Sequence, residues 1–191
     1  LAACVNHPTS IMDQATANCG APIGWEQVAT AAEARVLIFG ETHGTNEIPD
    51  TFARYVCAAS ARGGKTLVLL EIDASYADAF AAASDADDPR AELLSKMSKH
   101  WASTDGRASE AILEMMESLI ELRQSGRALT IRPMAQMVGW PEMDSLEKLA
   151  AWLAEQPPTK IQQMGEDGLA EIIRTESEGF DRTIVLVGNV H

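Results

Sequence analysis

The chain has 191 residues, 46% hydrophobic and 23% charged, which is enough apolar mass for a core of its own and too much for a disordered chain. Its net charge of −13, from 15 Lys and Arg against 28 Asp and Glu, repels a phosphate backbone and argues against nucleic acid as a partner. Gly and Pro recur throughout, against a coiled coil, and no apolar run reaches the roughly 20 residues that a membrane-spanning helix needs.

The opening Leu1-Ala2-Ala3-Cys4 is similar to the end of a bacterial lipobox, which would place a lipid anchor on Cys4. It is equally the tail of an ordinary signal peptide. Both readings put the protein outside the cytoplasm, in the periplasm or as an outer-membrane lipoprotein. Cys4, Cys19 and Cys57 allow one internal disulfide, Cys4 with Cys19 or Cys19 with Cys57, which suits an oxidising compartment. No CxxC or Cys/His cluster supports a structural zinc. Residues 1–34 read as a leader segment and first helix, and 35–191 as an α/β domain. That domain is expected to be truncated at its C-terminus, because the chain stops just after an apolar strand.

Four apolar runs read as buried strands: Arg35–Gly40, Thr66–Glu71 behind the Gly63-Gly64 turn, a weaker Ala128–Arg132 behind Gly126, and Thr183–Gly188. Helices fill the intervals. Between Pro49 and Ala61 the residues Phe52, Tyr55, Val56 and Ala59 recur at helical spacing. Asp88-Pro89 reads as an N-cap and first helical residue, with Leu93, Leu94 and Met97 facing inward. From Arg107 to Gln124 an apolar face with Ile112, Met115, Met116 and Leu119 opposes Glu110, Glu114, Glu117 and Glu121, and Gly126 follows its end. Asp144-Ser145-Leu146-Glu147 carries a capping-box pattern, Pro157-Pro158 stops the helix it opens, and a last helix covers Ile161 to Glu176. The stretch from Met134 to Pro141 shows no clear pattern. Strands alternating with helices predict an α/β fold, a mainly parallel sheet with helices on both faces.

In such a sheet, ligands bind outside the carboxyl ends of the strands. The first strand is followed by Gly40-Glu41-Thr42-His43-Gly44-Thr45-Asn46-Glu47, the second ends in Glu71-Ile72-Asp73, and the fourth is followed by Gly188-Asn189-Val190-His191. Two of the four His therefore follow buried strands in the same Gly-x-x-His pattern. The Gly is expected to let the backbone turn sharply at the strand's end, holding the imidazole at the sheet's rim. His43 and His191 with Glu41, Glu47 and Glu71 would make a pocket of imidazoles and carboxylates. That set suits a divalent metal on His43, Glu41 and His191, or metal-free acid–base chemistry in which His43 takes a proton from water beside Glu71, with His191 completing the site and Glu47 at the substrate. Glu41 and Glu47 also have a simpler reading as helix-terminal acids. Arg107, at the start of a helix whose dipole it opposes, is expected to meet a carboxylate of the site or an anionic group of the substrate. His7 and His100 have no supporting neighbours and read as surface residues.

These residues resemble the superfamily of erythromycin esterases, ChaN-type haem-binding lipoproteins and Tiki metalloproteases. Gly40 and His43 match its first Gly-x-x-His motif, Gly188 and His191 the second, and Glu71 its strand-end acid. Trp101 with Asp105-Gly106-Arg107-x-Ser109 is similar to a segment of the esterase-like branches. Where that pattern has a basic residue ahead of the last strand, this chain has Met164-Gly165-Glu166-Asp167-Gly168-Leu169-Ala170. The resemblance, over residues 35 to 191, implies one of three chemistries: hydrolysis by a His-activated water, a metal-dependent peptidase, or a haem-binding lipoprotein with His43 or His191 as axial ligand. The function expected is hydrolysis of an ester or peptide bond in a small-molecule or peptide substrate. The alternative is haem or metal binding without turnover.

Overall fold

The structure, a computed structural model, describes residues 19, 20, 22–25, 27, 28, 35–136 and 144–189. His191 and Cys4, and the stretch 137–143, lie outside the described residues. Four strands, β1 (Val36–Glu41), β2 (Thr66–Asp73), β3 (Leu129–Ala135) and β4 (Arg182–Gly188), form one all-parallel sheet in the order β1-β4-β2-β3. From β1 onward the helices of the described residues are α1 (Glu47–Ala61), α2 (Ala77–Asp85), α3 (Pro89–Lys96), α4 (Ser98–Trp101), α5 (Glu110–Gln124), α6 (Leu146–Glu155) and α7 (Pro158–Glu176). The fold is α/β, as the alternation of patterns predicts.

The strand order explains how both faces are covered. The steps from β1 to β2 and from β2 to β3 run in one direction across the sheet, and the step from β3 back to β4 runs in the other. Right-handed crossovers therefore place the helices of the first two steps on one face and those of the return step on the opposite one. The packing agrees. Val68, Leu70, Ile72, Ile184 and Leu186 join one core with Phe52 and Val56 of α1 and Met116 and Leu119 of α5. The alternate residues Leu67, Leu69, Val185 and Val187 pack with Ile172 and Ile173 of α7. This is the period-2 alternation of a strand apolar on both faces.

Boundaries move where a local signal competes. The long helix starts at Glu110, where the Ser109 side chain caps it by accepting from the Ile112 N–H. Arg107 belongs to the turn before it rather than to its first turn. Helix α6 takes its cap from Ser145, whose Oγ accepts from the Lys148 N–H, so the cap sits one residue beyond the Asp144 of the apparent capping box. Strand β3 runs on to Ala135 through Pro133, a residue that a ladder tolerates at an edge, which is where β3 lies. Of the two candidate disulfides, Cys4–Cys19 and Cys19–Cys57, the second is formed; it ties Cys19 to α1, and Trp25 stacks edge-on against Tyr55 of that helix.

Candidate active site

Three adjacent strands bring the chemistry together at their carboxyl ends. Glu41 closes β1, register pairs it with Gly188 at the end of β4, and Glu71 stands on β2, the next strand along. Two residues past β1, His43 sits in a tight turn in which the Thr45 N–H and Oγ both donate to the Thr42 carbonyl, at 3.2 and 2.9 Å. Gly44 follows with φ +85°, a conformation that Gly adopts without strain.

The His43 ring lies between two carboxylates. Its Nδ1 faces Glu41 Oε1 at 3.5 Å and its Nε2 faces Glu71 Oε2 at 4.0 Å. Both Glu41 Oε1 and His43 Nδ1 are buried, and among the described residues neither has a hydrogen-bond partner. A separation of 3.5 Å is longer than a good hydrogen bond, but catalytic bonds in unliganded sites are often long and tighten only on binding. Glu41 is 4% exposed, and burial raises its pKa above the ordinary carboxylate value; His43 works in the opposite direction.

Glu71 accepts from two donors. The Arg107 Nη2 donates to Oε1 and the Gly188 backbone N–H to Oε2, each at 2.6 Å. Arg107 also donates through Nη1 to Asp105 Oδ2 at 3.0 Å, and its backbone N–H goes to Asp105 Oδ1. Burial opposes the charge of Arg107, but its bonds to Glu71 and Asp105 outweigh this and raise its pKa. Of the two roles open to Arg107, the structure shows the one on a carboxylate of the site. An anionic substrate group would have to compete with Glu71 and Asp105 for it.

The glycines make room rather than turns. Neither Gly40 nor Gly188 has a positive φ, contrary to the sharp turn expected of them. A Cβ on Gly188 would lie 3.0 Å from His43 Nε2 and 3.3 Å from Glu71 Oε2, so the second motif's Gly is the floor beneath the imidazole. A Cβ on Gly40 would come within 3.4 Å of Asn189 in the neighbouring loop, whose Nδ2 donates to Thr42 Oγ1 at 3.0 Å. Gly106, at φ +88°, presses closest: a Cβ there would be 2.8 Å from both the His43 carbonyl carbon and the Gly44 nitrogen.

Of the residues singled out from the sequence, the structure thus joins Glu41, His43, Glu71 and Arg107. Glu47 is exposed in the first turn of α1, and no hydrogen bond or ion pair links it to these four. His191 falls outside the described residues. His100 is half-buried rather than a surface residue: its ring stacks edge-on against Tyr76 and Trp101, and its Nε2 lies 3.1 Å from the Arg107 carbonyl. Burial lowers its pKa. Only the Asp105-Gly106 turn signal hinted at this arrangement.

Among the described residues, no group of three or more His, Cys, Asp or Glu is placed to hold a metal ion. Glu41 and His43 supply two donors, while Glu71 is engaged by a guanidinium and an amide. The cavity bounded by Glu41, Glu71 and Arg107, with apolar walls from β2, β4 and α5, measures about 10 Å³. That is room for about one water molecule and not for a haem. Glu41 and His43 by themselves do not make a metal site.

No protein-family model and no curated protein matches the sequence. The fold is similar to that in the structure of the type III effector HopBA1, with a TM-score of 0.53 and 14% identity over 85% of this chain and 70% of that one.

Proposed function

We propose that the chain is a hydrolase that activates water with His43 at the carboxyl edge of the sheet and cleaves an ester or peptide bond. The observation that carries this reading is the position of the imidazole between two carboxylates of different character. Glu41, buried and 3.5 Å from Nδ1, is placed to orient the ring by accepting the Nδ1–H as the pair closes to hydrogen-bond distance on binding, which leaves the Nε2 lone pair toward Glu71. The 4.0 Å from Nε2 to Glu71 Oε2 is a span that one water molecule can bridge. In that position the water gives its proton to Nε2 as its oxygen attacks the carbonyl carbon; the imidazolium, stabilised by both carboxylates, returns that proton to the departing alkoxide or amine as the C–O or C–N bond breaks. Arg107 and the Gly188 N–H hold Glu71 in place. The paired Gly-x-x-His pattern and its resemblance to the esterase-like superfamily support the same chemistry. The Cys19–Cys57 disulfide supports export to an oxidising compartment, the setting in which such bonds persist.

The test is turnover of a panel of p-nitrophenyl esters, lactones and unstructured peptides by the wild-type protein and by His43→Ala. General-base catalysis predicts a loss of about 10²- to 10⁴-fold in kcat with the near-UV circular dichroism unchanged. Equal turnover by both proteins, or none by the wild type on any member of the panel, would rule the reading out.

A further inference from the structure

Behind the candidate site lies a second set of contacts that the catalytic reading does not use. Trp101 ties the short helix α4 to α3 by donating from Nε1 to the Leu93 carbonyl at 3.0 Å. Its neighbour His100 is held edge-on between Trp101, with centroids 4.7 Å apart, and Tyr76 from the 3-10 turn Ala74–Tyr76 after β2, at 5.9 Å. From that slot the His100 Nε2 reaches the Arg107 carbonyl at 3.1 Å. A carbonyl oxygen only accepts, so Nε2 carries the proton and donates. The turn that receives this bond, Asp105-Gly106-Arg107, faces the site on its other side: Gly106 abuts His43 and Gly44, and the Arg107 guanidinium grips Glu71. One imidazole therefore holds from behind the turn whose front touches both the general base and its carboxylate partner.

We propose that His100 is a positioning residue, whose Nε2–H bond to the Arg107 carbonyl sets the Asp105–Arg107 turn and, through it, the placement of Arg107 on Glu71 and of Gly106 against His43. A role in turnover rests on the hydrolase reading above; the effect on Arg107 and His43 does not. Hydrogen bonding and packing separate cleanly in two variants. His100→Phe keeps an aromatic ring for Tyr76 and Trp101 but removes the donor. His100→Gln keeps a side-chain N–H of similar reach but removes the ring.

The experiment compares both variants with wild type by the NMR signals of the Arg107 guanidinium, the titration of the His43 imidazole, and kcat and KM on a p-nitrophenyl ester. Phe is expected to average the Arg107 signals and displace the His43 titration. It should lower kcat about tenfold or more and leave KM within about twofold, since misplacing catalytic groups slows chemistry more than it weakens binding. Gln is expected to restore all three to near wild type. Wild-type behaviour of Phe, loss in Gln but not in Phe, or failure of both variants to fold would each overturn the proposal. If the wild type cleaves no ester, the hydrolase reading fails, and the two spectroscopic readouts still decide the role of His100.

Discussion

A carboxyl group that is 4% exposed and faces an imidazole is held under conflicting demands, and Glu41 shows how they balance. Burial disfavours its ionised form, His43 favours it, and burial wins, so the folded-state pKa stands above the ordinary value of 4.5. The consequence for stability follows from linkage. At pH values just above 4.5 the unfolded chain has released this proton while the folded chain keeps it. Stability contributed by Glu41 is therefore present in acid and is lost as the pH rises through the raised folded value. Glu41→Gln, of the same shape and without charge, should remove this part of the pH dependence. Urea denaturation at mildly acid and at neutral pH should show the variant gaining on wild type as the pH rises. Its turnover should fall about 10²-fold, because the amide no longer fixes the imidazole as a base. A variant less stable than wild type at neutral pH by as much as in acid would contradict the assignment.

Among the elements, those that bury apolar residues in a simple period could be read from sequence alone. Strands β1, β2 and β4 are continuous apolar runs, and α1 and α5 carry their inward residues at helical spacing. The Glu and His at the ends of β1 and β2 followed from the same reading, because strand ends are where a parallel sheet binds ligands. What escaped it depends on contacts distant in sequence. Helix α2 is an Ala-rich segment whose Ala79, Phe80 and Ala83 gain their meaning only from the core they enter. The carboxyl half of β3 is masked by Pro133, which only an edge position permits. His100 has no marked neighbours in the chain, and its partner Arg107 is seven residues away across a turn. The role of Gly106 likewise appears only when the loops after β1 and α4 are brought together. Gly106→Ala should put a Cβ 2.8 Å from the His43 backbone in a φ of +88°, a strain of about 1–3 kcal/mol. Denaturation midpoints should fall accordingly with the fold retained, and hydrolysis should fall further than the lost stability explains. An alanine variant with wild-type turnover would show that this contact does not set the site.

For the molecule as a whole, the return of the chain from β3 to β4 is the step that builds the site. It inserts the last strand between β1 and β2, so that Glu41, Gly188 and Glu71 end on three neighbouring strands. Helices α1 and α5 close one face above this edge and α7 closes the other. The acidic surface is mostly solvated helix face, with acids such as Glu114, Glu121 and Glu155 exposed and without part in the site. The Cys19–Cys57 bond fastens the N-terminal segment to α1, the helix that directly follows the His43 turn. The most direct measurement is a long-range ¹H–¹⁵N spectrum of the His43 ring in the folded protein at neutral pH. A ring protonated on Nδ1, with an unprotonated Nε2 toward Glu71, is the predicted result. A ring protonated on Nε2 alone, or one exchanging freely between the two tautomers, would contradict the account.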